Sequence, residues 1–212
     1  MTDNNLDSPF AARYGSPEMR AIWSDANKRA LWRQIWVALA EAQHTAGVVN
    51  EAQLEDVRAH AGKPNTKRAL AIEQEIGHDV MAELRAFAEQ CPAGGGILHW
   101  GATSADITDN ADVLRQRQAL RLLRQRLGRL LRALADKIEA HKSLATMAYT
   151  HLQPAEPTTV GYRLAVYGQD LLESLAELDR LIANLRGKGL KGAVGTAASY
   201  QELLAGSGAT SA

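Results

Sequence analysis

The chain has 212 residues, 46% of them hydrophobic, enough to bury one large domain or a small domain and part of another. Its 24 basic residues are matched by 24 acidic ones, which argues against non-specific nucleic-acid binding, since that needs a basic face. The single Cys91 excludes an internal disulfide and suits a reducing compartment, and no run approaches the roughly 18 apolar residues of a membrane span.

Residues 1–9 are polar and acidic without a signal-peptide apolar segment; they read as a mobile tail on a soluble, cytoplasmic protein. Arg13 and Tyr14 follow in a predicted loop, where a guanidinium and a phenol suit anion or base recognition. Ser16 before Pro17 is an N-cap with proline at the first helical position, and the short helix runs to about Trp23. Ser24 and Asp25 restart a helix whose apolar face carries Leu31, Ile35, Ala38, Leu39 and Ala42, with Trp32 and Trp36 beside it in the core, up to Gly47. Asn50 caps a helix through about His60, stopped by Gly62. Asn65 caps the next, with Leu70, Ile72 and Ile76 inward, ending at Gly77. His78 and Asp79 lead into a fourth helix carrying Val80, Leu84 and Phe87, with Asp79 a candidate N-cap, and residues 91–96 break it. Val, Ile and Thr nowhere alternate with polar residues, so no sheet is predicted.

Thr103 or Ser104 opens the longest predicted helix, and Thr103 to Asp106 has the spacing of a capping box. Up to about His141 only the isolated Gly128 weakens it, and Leu120, Leu123, Leu127, Leu130, Leu134 and Ile138 recur every three or four residues. A second long helix is predicted from near Pro157 to about Leu185, with Leu164, Tyr167, Leu171, Leu175, Leu178 and Ile182 in the same period. Two such seams read as neighbours in a helical bundle, and two helices alone cannot bury them. Further helices must come from more chain, from other copies, or from both. Residues 187–196 are too glycine-rich for helix, and 206–212 read as a linker or a truncation point.

Chemistry-bearing residues gather at helix starts. Thr103 and Ser104 offer two hydroxyls and free N–H groups at the positive end of a helix dipole, which is either a plain cap or a phosphate or carboxylate site. Nearby Gly101 permits close backbone approach. His78 and Asp79 lie in the same compact region and are able to share that site. His151, between the two long helices, stands in a segment where Pro154 and Pro157 oppose helix before them and suit its first turn, so it is predicted in an irregular stretch feeding a helix N-terminus. It is either a loop histidine or a proton-transfer group, the work histidine is suited to near neutral pH. From Ser104 to His141 a straight helix spans roughly 55 Å. The ten residues from His141 to His151 return at most about 35 Å. If both ends serve one site, separate copies of the chain must supply them, and monomers should be inactive.

Three ordered blocks carry a resemblance. His99, Trp100, Gly101, Ala102, Thr103, Ser104, Ala105, Asp106 and Ile107 form the first; residues 150–159 around His151 the second; Lys191, Gly192, Ala193, Val194, Gly195 and Thr196 the third. Together they resemble the fumarase/aspartase superfamily over about residues 10–200, and Arg13–Tyr14 with His78–Asp79–Val80 point to its adenylosuccinate lyase branch. The resemblance implies an all-α fold: a small helical N-terminal domain over 1–103, then the first long helices of a lyase-type bundle over 104–212. It implies β-elimination of fumarate from adenylosuccinate and SAICAR in purine nucleotide biosynthesis, in a cytoplasmic homotetramer whose sites draw on three subunits, with AMP and fumarate as ligands. No organic cofactor, metal, nucleic acid or membrane is implied. By position, His151 is the general acid toward the departing purine nitrogen. Thr103 and Ser104 hold a carboxylate or phosphate; Arg13, Tyr14, His78 and Asp79 bind the nucleotide; Gly77 contributes backbone only, standing where the family often has a larger residue.

The chain also departs from the family. It lacks the flexible Ser-Ser-x-Met-Pro-x-Lys-x-Asn loop, which supplies the serine base, and the later bundle helices. The expectation is therefore the N-terminal part of a lyase, inactive by itself. The alternatives are another superfamily member, such as a 3-carboxymuconate cycloisomerase or, at a further remove, an argininosuccinate lyase, and a non-catalytic helical oligomerisation module.

Overall fold

The computed structural model describes residues 10–205, so the readings made for residues 1–9 and 206–212 lie outside the described residues. Its helices run in the order α1 (Ala11–Tyr14), α2 (Pro17–Ile22), α3 (Asp25–Thr45), α4 (Glu51–Ala61), α5 (Thr66–Ile76), α6 (Asp79–Ala88), α7 (Ser104–Ala140), α8 (Val160–Asn184) and α9 (Ala198–Leu204), with a 3₁₀ turn at Gly95–Ile97. The architecture is all-α. It contains one small antiparallel ribbon, β1 (Ala145–Thr150) and β2 (Gln153–Thr159), where no sheet is expected from sequence. No described helix is long and apolar enough to cross a membrane. The described chain separates into two compact units, Arg117–Leu185 and the rest, whereas the boundary read from sequence falls at the start of α7.

In the first unit, side-chain caps set the helix starts. The Ser16 hydroxyl accepts from the Met19 N–H, that of Ser24 from Asn27 N–H, and Asn50 and Gln53 form a reciprocal capping box. The core packs Leu31, Trp32 and Trp36 of α3 against Leu54 and Val57 of α4, Val80 and Phe87 of α6, and Ile97 and Ile107. A second cluster joins Ala69 and Ile72 of α5 to Ala82 and Ala86 of α6. The buried face of α3 is rotated from the predicted one: Ala38 and Ala42 are exposed, while Arg29, Arg33 and Gln43 are buried. The reason is Glu83, fully buried on α6, whose carboxylate accepts from Arg33 Nε at 2.6 Å and Arg29 Nη1 at 3.1 Å. The Arg33 guanidinium also stacks over the Phe87 ring at 4.4 Å. Buried charges are tolerated when paired in this way, so polar letters occupy core positions. Leu70, predicted inward on α5, is exposed.

In the second unit, the C-terminal part of α7 and α8 run antiparallel. Arg117 donates to the Leu185 carbonyl at 2.7 Å, Arg124 pairs with Asp179, and the Cα of Gly168 faces Leu134 and Ile138. The ribbon joins them, with Met147 opposite Pro157 and Tyr149 opposite Pro154. Both strands are edges, so the missing proline N–H groups break no ladder on a second side. Helix α8 therefore begins at Val160, capped by the Thr159 hydroxyl, rather than near Pro157.

Candidate active site

Helix α5 ends on Gly77, whose φ of +65° turns the chain sharply. That turn places His78 at the N-cap of α6, the position sequence allotted to Asp79. His78 Nδ1 accepts the Met81 N–H at 3.4 Å and lies 3.7 Å from Asp79 Oδ1. Asp79 Oδ1 itself accepts the Val80 N–H at 2.7 Å. His78 Nε2 is thereby aimed at Ser104 Oγ, 3.5 Å away.

Ser104 is the first residue of α7, with Thr103 at the cap position. Asp106 accepts the Thr103 N–H at 3.2 Å, which is one half of the expected capping box. The Gly77–His78–Asp79 turn and the Thr103–Ser104 start of α7 thus come together through the His78 imidazole and the Ser104 hydroxyl, at the N-terminal end of a long helix. Such a set can hold a carboxylate or phosphate. Arg13 and Tyr14 stand exposed on the one-turn helix α1, not in a loop, and the hydrogen bonds of this cluster do not include them.

Three further residues of the first unit stand out: His99 and Tyr200, which had no individual role in the sequence reading, and Asp106, read there only as the capping-box partner of Thr103. His99, at φ +68°, accepts the Trp36 Nε1–H at Nδ1 over 3.0 Å. Burial, with a smaller contribution from His78, holds its imidazole below the ordinary range against the pull of Asp106. Asp106 is fully buried, and Tyr200 of α9 donates to it at 3.0 Å. Burial and the Asp106 charge push the Tyr200 phenol up. The block around His99 was visible in sequence; a contact across 94 residues between Asp106 and Tyr200 was not. Among the described residues no three His, Cys, Asp or Glu side chains converge as a metal site would need.

In the second unit His151 sits with Leu152 at the tip of the ribbon, both at positive φ, +50° and +64°. This replaces the irregular segment feeding a helix: all of β2 separates His151 from α8. The turn leaves the His151 side chain exposed.

A family model described as "Lyase" matches residues 12–205. The chain is 41% identical over 201 residues to an adenylosuccinate lyase of Schistosoma mansoni, covering 94% of this chain and 42% of that protein. It is 38% identical over 207 residues to an adenylosuccinate lyase of Saccharomyces cerevisiae, covering 96% and 43%. The structure of a fumarate lyase from Mesorhizobium sp. BNC1 superposes with a TM-score of 0.80 at 30% identity, over 89% of this chain and 47% of that one. The chain thus spans less than half the length of these relatives.

Proposed function

The chain belongs to the lyase family, and from that premise we propose that it supplies the anion- and nucleotide-holding part of an adenylosuccinate lyase. The reaction is β-elimination of fumarate from adenylosuccinate and from SAICAR. The observation that carries the reading is the approach of His78 Nε2 to Ser104 Oγ, 3.5 Å apart at the start of α7, in a chain whose relatives bear that name. A base removes the Cβ proton, the freed pair forms the C=C bond of fumarate, the C–N pair passes to the leaving nitrogen (the amino group on the purine or the carboxamide of SAICAR), and that nitrogen takes a proton as fumarate leaves. Thr103 and Ser104 hold a carboxylate or phosphate of the substrate. His78, Asp79, Arg13 and Tyr14 bind the nucleotide, with the Gly77 turn setting the position of His78. His151 donates the proton to nitrogen. Its place at an exposed hairpin tip suits a group that meets its substrate in a pocket completed by other elements.

The 212 residues contain no serine-rich base loop, so no turnover is expected from them alone. The same reading includes a cytoplasmic homotetramer in which separate copies supply Ser104 and His151. The test follows fumarate release by absorbance in an assembled lyase carrying these residues together with a base-bearing loop. His151→Ala is expected to cut kcat by about 10²-fold or more, the scale of acid catalysis, and a drop under about threefold removes His151 as the acid. No fumarate from adenylosuccinate removes the assignment. Mixed His151→Ala and Ser104→Ala copies are expected to regain activity; no recovery overturns the shared site.

A further inference from the structure

We propose that Asp106 is a positioning residue for the anion-holding end of α7, acting by fastening residues 103, 191, 192 and 200 to one buried carboxylate. The inference rests on the function proposed above and deepens it. Asp106 Oδ1 accepts the Lys191 N–H at 3.0 Å. Its Oδ2 accepts the Gly192 N–H at 2.9 Å, the Tyr200 O–H at 3.0 Å and the Thr103 N–H at 3.2 Å. The donors are three backbone amides and a phenol, all neutral. A capping box needs only the bond to Thr103. The other three reach a segment 85 to 94 residues further along the chain. Burial alone would oppose ionisation; the donors outweigh it and hold the carboxyl below its usual range.

Neighbouring contacts show what this fastening does. Asn110, one turn along α7, donates to the Gly189 carbonyl at 3.0 Å and accepts the Gly189 N–H at 3.1 Å. Ser199 Oγ donates to the Gly101 carbonyl at 2.6 Å. Gly101, at φ +75°, packs so closely on Tyr200 that a Cβ there would lie 2.8 Å from the ring. The start of α7 is therefore tied on both sides of Ser104 to the glycine-rich segment and α9. A shift of one helical position rotates a side chain by about 100°, which would carry the Ser104 hydroxyl away from His78. The Asp106 bonds oppose that shift. They also occupy the Thr103 N–H and point four donors at the buried carboxylate, so its lone pairs are taken up inside the fold rather than turned toward Ser104.

The test is AMP binding to the 212-residue chain by calorimetry. Asp106→Asn puts an NH₂ where one acceptor oxygen stands, and it should weaken AMP binding by about tenfold. Ser104→Ala should weaken it about tenfold in the unsubstituted chain but less than about twofold in the Asp106→Asn background, because an unpositioned hydroxyl has nothing left to lose. A merely structural Asp106 would leave the two effects additive, and additivity overturns the inference while the function stands. If Asp106→Asn does not fold, Tyr200→Phe takes its place in the same cycle, with the same outcomes. No AMP binding by the unsubstituted chain, or no effect of Ser104→Ala, overturns the proposed function and this inference with it.

Discussion

At the scale of single residues, the first unit depends on polar groups whose partners are distant in sequence. Glu83, whose two oxygens accept from Arg33 and Arg29, and Asp106 among four donors are buried charges made tolerable by those partners. Cys91 illustrates the opposite case: burial pushes its thiol up to about 11, so it acts as a small apolar filler rather than a nucleophile. His99 yields a pH prediction. Burial depresses its folded pKa, so the neutral form belongs to the folded state. The associated stability is complete above the unfolded value of about 6.5 and is lost as pH falls through the lower folded value. The urea midpoint should fall between about pH 7 and pH 5, more than in His99→Asn, where Asn tolerates the positive φ and has no proton to bind. Equal slopes in the two proteins would remove His99 as the origin. Of the residues in the site, sequence disclosed His78, Thr103 and Ser104 through their positions at helix starts. It left Asp106 as one half of a cap, since nothing local announces three bonds from the far end of the chain.

At the scale of elements, helix limits were legible wherever a cap and a glycine bracket an apolar period, as in α4 from Asn50 to Gly62. The ribbon was not. Its strands hold six and seven residues, and β2 carries two prolines without alternation. Its two-residue turn places His151 and Leu152, rather than Asn and Gly, at positive φ. Short helix α9 was also missed, hidden behind the glycines before it. Glycines in the long helices give a paired prediction. A Cβ at Gly161 would stand 2.7 Å from the Ile138 carbonyl oxygen and Lys142 Cα, so Gly161→Ala should destabilise by about 1–3 kcal/mol through overpacking. Gly128 has nothing within 4 Å of the same position, so Gly128→Ala should stabilise by about 1 kcal/mol through helix propensity. Thermal or urea melts read both. A neutral Gly161→Ala would mean the helices are not held as closely as described.

At the scale of the whole molecule, the two long helices cover each other incompletely. Leu123 and Leu130 of α7, and Tyr162, Val166, Tyr167 and Leu172 of α8, are exposed, Tyr162 to 68%. Surfaces of this kind are sites of association. Sedimentation should find the chain self-associated at micromolar concentration, and Tyr167→Glu with Leu130→Glu should shift it toward the monomer. A monodisperse monomer for the unsubstituted chain would contradict this. The sequence by itself determined the all-α class, the places where most helices begin, and the family, because these follow from local periodicity, capping chemistry and short ordered motifs. Only the tertiary structure decided which face of α3 is buried, that His151 rides a hairpin, and that Asp106 joins α7 to a segment some 90 residues on. Those outcomes depend on groups far apart in the chain competing for the same donors and the same buried volume, and no window along the sequence contains both partners.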